Sequence, residues 1–376
     1  MTDRTVLLVV EQLRRRVPGG IGRYARSLLA ALAADGDGGV TLFASRVPGH
    51  APGRIMPIAD PLATLGFPVV TSRLPGRLLT RAWGRGLAPA PAGFAPVHSV
   101  SLAIPPVRGR GTPRLATVHD LSWRSHADAT TARGRRWHEA ALGRALREID
   151  AFVVPSESVA EELRAAGASN SAVAVIAWGG DHLPAPDHLG AQGVLARAGV
   201  DGPYLLSVST LEPRKNLARL AAAYALARSR LPEPWPLVVV GPRGWGGAAT
   251  TEAPPPGVIP LGAVGDAVLA GLYAGARAFA YVPLTEGFGL PPLEAMGQGV
   301  PVVVSQAVPS AAEVSGTRCA WRVDPLDVEA IADGLVRVGT DDQLRAELIA
   351  AGSTRARSRT WGSVATEHRA LWRSLS

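Results

Sequence analysis

The chain has 376 residues, of which 47% are hydrophobic and 19% are charged. This length exceeds one ordinary domain and the apolar share suffices for two cores, which excludes a single small domain and a largely disordered chain. The one cysteine, Cys319, excludes a disulfide framework and a cysteine-based zinc site. The net charge of +8 falls entirely within residues 1–182, where 22 arginines face 14 acidic residues. This excess predicts a surface for anionic partners such as lipid headgroups, although a general bias toward arginine would give the same count.

The first half of the sequence alternates short apolar runs with segments of helical spacing. The predicted strands are Thr5–Val10, Val40–Ala44, Leu115–Val118, Ala151–Val154 and Val173–Ala177, and the predicted helices are Tyr24–Ala34, Arg133–Ile149 and Ser156–Ala166. Residues 46–113 are dense in proline and glycine, and we expect short strands and loops there. Residues 183–201 include Pro184, Pro186, Gly190 and Gly193 in close succession and are predicted to be a linker.

The same alternation restarts after the predicted linker. The predicted strands are Tyr204–Val208, Leu237–Val240, Val258–Leu261, Ala278–Val282 and Val300–Val304, and the predicted helices are Asn216–Arg228, Leu290–Met296, Val328–Val338, Gln343–Arg355 and Val364–Leu375. Strands that alternate with helices predict an α/β fold with parallel sheets and helices on both faces. We expect two domains, residues 1–182 and 202–358, with the active site in the cleft between them at the carboxyl ends of the strands.

The segment from Glu286 to Glu294 places two carboxylates on either side of a glycine turn that opens a predicted helix. Gly287 and Gly289 let the backbone approach a ligand closely, and the helix start supplies N–H groups and a positive dipole end. From these positions Glu286 can reach a sugar hydroxyl, and Glu294 can accept a hydrogen bond from a ribose. An ordinary helix start with two acids is the alternative interpretation, but the glycine-rich stretch that follows makes the pattern specific.

Arg214 and Lys215 lie between a predicted strand and a predicted helix. Lys215 is the one lysine among 39 basic residues, which indicates a position that needs a compact point charge rather than a planar fork. A diphosphate bound at the end of this strand would meet both cations, and they could stabilise it as a leaving group. An exposed basic turn is the alternative.

Two features of the first half also follow predicted strands. Gly19 and Gly20 come after the first strand, where glycines can bring backbone N–H groups toward phosphates. The loop is not GxGxxG, so the dinucleotide fingerprint is absent. His119 and Asp120 follow the strand Leu115–Val118, at the edge where site residues collect. A plain turn and a structural histidine are equally compatible with these residues.

These motifs together resemble the retaining, nucleotide-sugar-dependent glycosyltransferases of the GT-B fold, and within them the group 1 or family 4 transferases. The resemblance covers nearly the whole chain and is clearest over Tyr204–Val304. Its most specific element is the acid–seven residues–acid pattern from Glu286 to Glu294. The other segments that carry it are Leu-Glu-Pro-Arg-Lys-Asn at 211–216, Pro-Gly-Gly-Ile-Gly-Arg-Tyr at 18–24, Val-His-Asp-Leu at 118–121 and Arg-Thr-Trp at 359–361.

The resemblance implies two Rossmann-like domains whose parallel sheets face each other across a cleft. The N-terminal domain would bind the acceptor and the C-terminal domain the nucleotide sugar, with a final helix at about residues 361–376 crossing back to complete the N-terminal domain. It also implies which residues act in catalysis, namely His119, Glu286, Lys215 and Arg214.

Carried over position by position, the resemblance implies a donor site and an acceptor side. Arg214 and Lys215 would bind the donor's diphosphate, Glu286 the donor sugar and Glu294 the ribose. The other implied donor-binding residues are Gly19, Gly20, Ser209, Thr210, Gly287, Phe288, Gly289 and Leu290. The acceptor side would include His119 and Asp120. Many family members have an arginine six residues before the motif lysine, where this chain has Ser209, so Arg214 is expected to substitute for it.

The implied reaction moves a hexose, with retention at the anomeric carbon, from a nucleoside diphosphate sugar to a hydroxyl of a glycan, glycolipid or polyprenyl-linked acceptor. Similar sequences occur in bacterial O-antigen-type mannosyltransferases, which favours GDP-mannose as donor. The resemblance implies no cofactor and no metal. A UDP- or dTDP-sugar donor with a small-molecule acceptor stays open as an alternative.

Two other classes of protein have alternating strands and helices. An NAD(P)-dependent oxidoreductase is disfavoured because GxGxxG is missing, and a non-catalytic sugar-nucleotide-binding protein is disfavoured because the Arg, Lys and Glu positions are intact. We expect no nucleic-acid partner, since no recognised motif accompanies the charge. No signal peptide or spanning segment is expected, so the predicted location is cytoplasmic, and the basic first half allows peripheral contact with the inner face of the plasma membrane.

Overall fold

The computed structural model describes residues 5–15, 19–36, 39–47, 60, 62–108, 111–126, 130–244, 254–313 and 316–375. The chain forms two compact units. The first comprises Met1–Trp178 together with Trp361–Ser376, and the second is Gly179–Thr360. Each unit is an α/β fold built on its own parallel sheet.

The first unit is built on a sheet in which the structure describes seven strands. They are β1 (Val6–Val9), β2 (Val40–Arg46), β3 (Val69–Pro75), β4 (Val97–Ser99), β5 (Arg114–Thr117), β6 (Ala151–Val154) and β7 (Val173–Val175). Their order is β3-β2-β1-β4-β5-β6-β7, and each neighbouring pair is parallel. All residues of β1 and β6 are buried, as expected for apolar strands covered on both faces.

Helices connect these strands. They are α1 (Gly19–Ala34), α2 (Gly76–Trp83), α3 (Ser122–Ser125), α4 (Ala132–Glu148), α5 (Glu157–Ala165) and the C-terminal helix (Trp361–Leu375). Side-chain caps define two of the helix starts. Thr131 Oγ1 accepts from the N–H of Gly134 at 3.1 Å at the start of α4. Ser156 Oγ accepts from the N–H of Val159 at 3.4 Å, which is the cap that the sequence predicts for α5.

A continuous series of buried hydrogen bonds ties the C-terminal helix to the rest of the first unit. Trp372 Nε1 donates to His98 Nδ1 at 3.1 Å, so the other ring nitrogen of His98 donates to Thr117 Oγ1 at 2.9 Å. His368 donates from Nδ1 to a backbone carbonyl one turn earlier, and its Nε2 accepts from Tyr24 Oη at 2.9 Å. Thr117 Oγ1 then donates to Tyr24 Oη at 3.1 Å. With this assignment, each hydrogen bond of the series has one donor and one acceptor. His98 is therefore neutral, and burial lowers its pKa well below its ordinary value.

The second unit has a sheet in which six strands are described. They are β8 (Leu205–Val208), β9 (Leu237–Val240), β10 (Val258–Gly262), β11 (Ala278–Tyr281), β12 (Val302–Ser305) and β13 (Trp321–Val323). Its helices are α6 (His188–Arg197), α7 (Leu217–Arg228), α8 (Asp266–Gly275), α9 (Leu290–Gly297), α10 (Val328–Thr340) and α11 (Asp342–Arg357). The parallel strands lie in the order β10-β9-β8-β11-β12-β13. Strand order reverses between β8 and β11, and ligands of open α/β sheets bind beside such a reversal.

Residues 183–201, predicted as a linker, are instead folded into the second unit. α6 forms ten of these residues and packs against α8. The two helices approach so closely that a Cβ added at Gly271 would lie 2.4 Å from the carbonyl oxygen of Asp187. Asp187 also caps α6, with its Oδ1 accepting from the N–H of Gly190 at 2.8 Å. The linker prediction is wrong because the prolines precede this helix and the glycines lie within it.

Other segments also differ from the sequence prediction, among them α8 and β13, which were not predicted. α1 begins at Gly19 rather than at Tyr24, so the glycine turn forms the first turn of the helix. Residues 46–113 were expected to hold short strands and loops, and they also contain the eight-residue helix α2, which buries Leu79 and Trp83. Over the described ranges, no helix combines the length and the apolar character that crossing a membrane requires.

Candidate functional site

The second unit places Arg214 and Lys215 after the carboxyl end of its central strand, β8. Both lie in a short 3-10 turn that leads into α7 through Asn216, whose φ of 59° is left-handed. Asparagine tolerates this conformation better than most residues. Its buried Nδ2 donates to the carbonyls of Val282 at 3.0 Å and Pro325 at 2.8 Å, which follow β11 and β13. These bonds fix the basic turn against the carboxyl ends of the neighbouring strands.

Glu286 follows β11, the strand beside β8, and meets both cations. Lys215 Nζ lies 2.5 Å from Glu286 Oε2, and Arg214 lies 3.6 Å from the same oxygen. Tyr281, the last residue of β11, donates to Oε2 at 2.6 Å and accepts from Lys215 at 2.6 Å. All three contacts use Oε2, and no partner for Oε1 occurs in the described residues. We call Arg214, Lys215, Tyr281 and Glu286 the Lys215–Glu286 cluster.

The nearly buried cluster has two cations against one carboxylate, and Glu212 adds a second carboxylate beside Arg214. Burial alone would raise the pKa of Glu286, but the charges of Lys215 and Arg214 and the hydrogen bonds hold it below its ordinary value. Burial, and then the charge of Arg214, lower the pKa of Lys215 against the opposing effect of Glu286. Burial and the adjacent carboxylate raise the pKa of Tyr281 well above its ordinary value. At neutral pH the cluster therefore holds a carboxylate, two cations and a neutral phenol.

The glycine turn between Glu286 and α9 is held by Ser310. Ser310 Oγ donates to the carbonyl of Gly289 at 2.6 Å, and its N–H donates to the carbonyl of Phe288 at 2.9 Å. Gly289 has a φ of 92°, and a Cβ added there would lie 2.5 Å from the side chain of Val308. Only glycine fits this position. This is the physical basis of the close backbone approach that the sequence predicts.

The start of α9 has fewer backbone donors than an ordinary helix. Pro291 and Pro292 are in its first turn and have no N–H. Backbone donation at this helix start can therefore come only from Gly289, Leu290 and Leu293. Two of these, Gly289 and Leu290, are among the predicted donor-binding residues, and both are buried together with Gly287.

Glu294 lies on α9 inside the second unit, with only 3% of its surface exposed. Its Oε2 accepts from Tyr273 Oη at 2.7 Å, and its Oε1 is 2.8 Å from His182 Nε2. Both partners are donors, so each carboxylate oxygen already has a hydrogen bond. The ribose contact implied for Glu294 stays a prediction, and a ribose would have to share these oxygens with Tyr273 and His182.

Ser209 and Thr210 connect β8 to the basic turn. Ser209 is buried, its N–H donates to the carbonyl of Val240 at 2.9 Å, and its hydroxyl has no partner among the residues that the structure describes. Thr210 is half-buried. Gly241 passes so close to Ser209 that an added Cβ would collide with its carbonyl oxygen. The larger arginine expected at this position is thus replaced by a small residue in a tightly packed strand end.

In the first unit, Gly19 and Gly20 are the exposed first residues of α1. Gly19 has a φ of 63°, which glycine adopts without strain. A helix that begins with glycines exposes N–H groups at its positive end, as the phosphate-binding prediction requires. Pro18, the first residue of this motif, lies outside the described residues.

His119 lies after β5 against two aromatic rings of the same unit. Its ring centroid is 5.0 Å from that of Tyr24 and 5.4 Å from that of Trp178. Nε2 donates to the carbonyl of Val100 at 2.7 Å, and Nδ1 has no hydrogen-bond partner in the described part of the chain. Burial lowers the pKa of His119, so its Nδ1 is an unprotonated acceptor at neutral pH. Asp120 instead accepts from the N–H and hydroxyl of Ser122.

The structure groups some of the predicted residues and gives others partners that the sequence did not indicate. Arg214, Lys215 and Glu286 form one cluster, whereas Glu294 bonds to Tyr273 and His182. Tyr281 is the second-last residue of the predicted strand Ala278–Val282 and could have been expected at the site on that ground, but nothing in the sequence pairs Glu294 with its partners. Within the described ranges, no three His, Cys, Asp or Glu side chains are grouped to hold a metal ion.

Two family models match the chain. The model described as glycosyl transferases group 1 matches residues 197–355, which contain the Lys215–Glu286 cluster. The model described as glycosyltransferase family 4 matches residues 18–182, which contain Gly19, Gly20 and His119. Together they match the larger part of each unit.

Curated relatives align with about half of the chain. O-antigen chain mannosyltransferase B of Escherichia coli is 39% identical over 169 residues, which are 44% of this chain and 44% of that protein. The serotype-specific mannosyltransferase WbdA of Escherichia coli is 29% identical over 224 residues, or 56% of this chain and 25% of that protein. The alignments thus span less than half the length of either relative.

Solved structures match almost the full length at low identity. Sucrose-phosphate synthase from Thermosynechococcus elongatus aligns with a TM-score of 0.73 and 20% identity, over 99% of both chains. HepE from Anabaena in complex with UDP-glucose aligns with a TM-score of 0.70 and 17% identity, over 99% of this chain and 100% of that one. WaaG, a glycosyltransferase involved in lipopolysaccharide biosynthesis, aligns with a TM-score of 0.66 and 15% identity, over 97% of this chain and 99% of that one. These matches confirm the predicted fold class, GT-B.

Proposed function

Because the chain belongs to the group 1 glycosyltransferases, we propose that it transfers a hexose from a nucleoside diphosphate sugar to a hydroxyl of a glycan or lipid-linked acceptor. The observation that carries the proposal is the Lys215–Glu286 cluster. It holds two cations and a carboxylate at the carboxyl ends of β8 and β11, where strand order reverses.

The cations are proposed to receive the diphosphate of the donor. Arg214 and Lys215 are already fixed by Glu212, Glu286 and Tyr281, so binding requires little reordering of their side chains. A diphosphate carries more negative charge than one carboxylate and would replace Glu286 as the main partner of Lys215. As the bond to the sugar breaks, negative charge grows on the departing phosphate, and the two cations stabilise it.

Glu286 is proposed to bind the donor sugar through Oε1. Its other oxygen is held by Lys215 and Tyr281, which orients the carboxylate, and Oε1 has no partner in the described residues. Because the pKa of Glu286 is held low, its carboxylate is ionised and can only accept hydrogen bonds. The sugar hydroxyls would be the donors. The same negative charge would stabilise positive charge on the sugar as the leaving group departs.

In the first unit, His119 and the start of α1 are proposed to act on the acceptor and on the diphosphate. The unprotonated Nδ1 of His119 can accept a hydroxyl proton or a hydroxyl hydrogen bond, because Nε2 is already committed to Val100. Gly19 and Gly20 would donate backbone N–H groups to the phosphates.

We propose GDP-mannose as donor, retention at the anomeric carbon, and catalysis without a metal. The mannosyltransferase names of the curated relatives support the donor, although HepE was solved with UDP-glucose. The two cations at the proposed diphosphate position support metal independence, since they supply the charge that a metal would otherwise provide. We propose that the protein acts in the cytoplasm, because its proposed donors are nucleotide sugars.

The test is a thermal-shift panel of the full chain with GDP, UDP, dTDP, ADP and NAD, with and without magnesium. A ligand at about 100 times its dissociation constant stabilises by about 2.7 kcal/mol, which moves the melting temperature measurably. We expect a shift with GDP that magnesium does not change, followed by mannose transfer from GDP-mannose and release of GDP. A shift with UDP alone would replace the donor, and a shift with NAD alone would overturn the proposal.

A further inference from the structure

Tyr24 is the last residue of the glycine motif at 18–24, and the transfer reaction described above gives it no role. It lies on α1, and its side chain is completely buried in the first unit. Its ring centroid is 5.0 Å from that of His119 and 6.0 Å from that of Trp361. His119 belongs to the motif after β5, and Trp361 to the motif that opens the C-terminal helix. Three motifs that are distant in sequence thus meet at the ring of Tyr24.

The direction of the His119 imidazole is set by its aromatic neighbours. Among the described residues, its hydrogen bond runs from Nε2 to the carbonyl of Val100. One hydrogen bond alone would let the imidazole turn about the axis of that bond. The ring of Tyr24 stands at 74° to the imidazole and that of Trp178 at 60°, and both are edge-to-face contacts of a favourable kind. The two rings therefore determine where Nδ1 points.

The ring of Tyr24 is in turn fixed by its hydroxyl. Tyr24 Oη is hydrogen-bonded to Thr117 Oγ1 at 3.1 Å and to His368 Nε2 at 2.9 Å. Thr117 ends β5, the strand that leads to His119, and His368 lies on the C-terminal helix. All three side chains of these two bonds are completely buried. The ring cannot shift or tilt without leaving buried polar groups unpaired, which is costly.

Tyr24 is placed to support a reacting group and not to react. Burial raises its pKa above the ordinary tyrosine value, so the phenol stays protonated at neutral pH. No part of its side chain is exposed, so a substrate cannot reach it.

We propose that Tyr24 is the positioning residue of the acceptor side: its ring fixes the direction of His119 Nδ1, and its two hydrogen bonds fix the ring. This inference rests on the proposed function, in which Nδ1 meets the acceptor hydroxyl. It also gives the C-terminal helix a part in the reaction, because His368 holds the hydroxyl of Tyr24. A tyrosine that only filled the core would affect stability without affecting the state of His119.

Two substitutions separate the ring from the hydroxyl. Tyr24→Leu removes the ring, whereas Tyr24→Phe keeps the ring and removes both hydrogen bonds. The same two changes at Tyr224 are the matched controls. Tyr224 lies in the second unit, is equally buried, and donates its hydroxyl to the carbonyl of Trp235 at 2.9 Å. The melting temperature should fall in all four variants, because each loses buried contacts or a buried hydrogen bond.

The first measurement follows the imidazole of His119 by NMR in full-length chain with isotope-labelled histidine, and His119→Gln assigns its signals. In the wild-type chain we expect the proton on Nε2 and a pKa below the ordinary value because of burial. Tyr24→Leu lets water reach the imidazole, so the titration midpoint should rise and both neutral tautomers should appear. Tyr24→Phe should raise the midpoint less, and the Tyr224 variants should leave it in place.

The other titratable groups that face His119 do not account for such a change. In the described part of the chain they are Tyr24, His98 and Asp120. Burial raises the pKa of Tyr24 and lowers that of His98, so both stay neutral around neutral pH. Asp120 is present in every variant.

Transfer kinetics are the second measurement. A misplacement of about 1 Å can cost about 100-fold in rate, so Tyr24→Leu should lower kcat about 10- to 100-fold. The KM for the nucleotide sugar should change less than about threefold, because the second unit is proposed to hold the donor. Tyr24→Phe should restore most of kcat.

The outcomes separate positioning from core packing and from the proposed function. An unchanged His119 midpoint in Tyr24→Leu, with stability lowered as in Tyr224→Leu, would overturn the proposal and leave Tyr24 as a core residue. If the leucine variant does not fold, Tyr24→Phe decides, and an unmoved midpoint there would overturn the proposal. A wild-type chain that transfers no sugar would contradict the proposed function, whereas the NMR titration would still test how His119 is held.

Discussion

The two cationic regions of this chain differ in how their charge is balanced. In the second unit, Arg214 and Lys215 lie against Glu212 and Glu286, and all four side chains are at most 16% exposed. In the first unit, a cavity of about 660 Å³ between α2 and α4, here called the α2–α4 cavity, is lined by the exposed side chains of Arg77, Arg81, Arg85 and Arg133. These four arginines have no carboxylate partner among the described residues. A buried charge is costly unless it is paired, whereas an exposed charge is stabilised by water. Burial therefore explains why only one of the two regions contains its own counter-charges.

The difference also separates what the regions can do. The Lys215–Glu286 cluster has one fixed geometry before any ligand arrives, which suits a reacting group that must be positioned closely. The arginines of the α2–α4 cavity are exposed and have no fixed partner among the described residues. Substitutions in the cluster should therefore change the rate of chemistry.

The largest expected effect is that of Lys215→Ala. It removes one of the two cations proposed to receive the diphosphate, and we expect kcat/KM for sugar transfer to fall about 100- to 1,000-fold, the usual effect of losing one preorganised charge or donor. Steady-state transfer kinetics measure this. Arg230→Ala, which removes an exposed cation paired with Asp333 in the same unit, should leave kcat/KM unchanged. Full activity in the Lys215 variant would remove this residue from the site.

Glu286→Gln should have the next largest effect. It should lower kcat/KM without weakening the binding of free nucleoside diphosphate. The amide no longer competes with the diphosphate for Lys215, so the affinity for free nucleoside diphosphate should stay equal or rise. The contact to the sugar loses its charge, and kcat/KM should fall about 10- to 100-fold, as for a hydrogen bond to a charged group. Glu212→Gln is the control within the same charge network, because the Glu212 carboxylate pairs with Arg214 and forms no ion pair with Lys215 among the described residues. Weaker nucleotide binding with unchanged kcat would contradict the assigned role.

Salt should then test how firmly the cluster is paired. Raising the salt concentration from about 0.05 to 0.5 M shortens the Debye length severalfold, which weakens interactions of exposed charges. The affinity for a nucleoside diphosphate should nevertheless change little, because the cluster is nearly buried and its pairs are short. Nucleotide titrations at both salt concentrations measure this. A loss of affinity of about tenfold or more would show that the cluster responds to salt as exposed charges do, and would remove the contrast between the two regions.

The sequence could predict the parts of the site that depend on chain order. Arg214 and Glu286 each follow a recognisable apolar strand, and parallel strands place such residues on one edge. The partners that packing supplies could not be predicted. Tyr281 meets Lys215 across 66 residues of sequence, and His182 meets Glu294 across 112. The physical reason is that register and helix packing, which no local pattern encodes, decide these pairs.

In the fold, too, the elements with a clear local sequence pattern could be predicted, and those that depend on packing could not. Apolar periodicity predicted most strands to within one or two residues, because a strand covered on both faces must be apolar throughout. α2 was missed because eight residues between proline-rich segments give too short a pattern. The α2–α4 cavity was missed with it, since Arg77 and Arg133 come together only through the packing of two helices far apart in sequence.

The smallest expected effect is a pH dependence that tests how the cluster is ionised. Lys215 must be protonated to hold a diphosphate, and burial lowers its pKa below the ordinary lysine value. The charged form is therefore lost as pH rises through that lowered value, and kcat/KM should decline a few-fold at alkaline pH where an ordinary lysine would still be charged. Tyr281 cannot cause the decline, because its pKa is raised well above the ordinary value. Lys215→Arg keeps the positive charge to much higher pH, so its profile should stay flat over the same range, whatever its absolute rate. A decline of equal steepness in the arginine variant would assign the titration to another group and show that the pairing with Glu286 does not set the charge of Lys215.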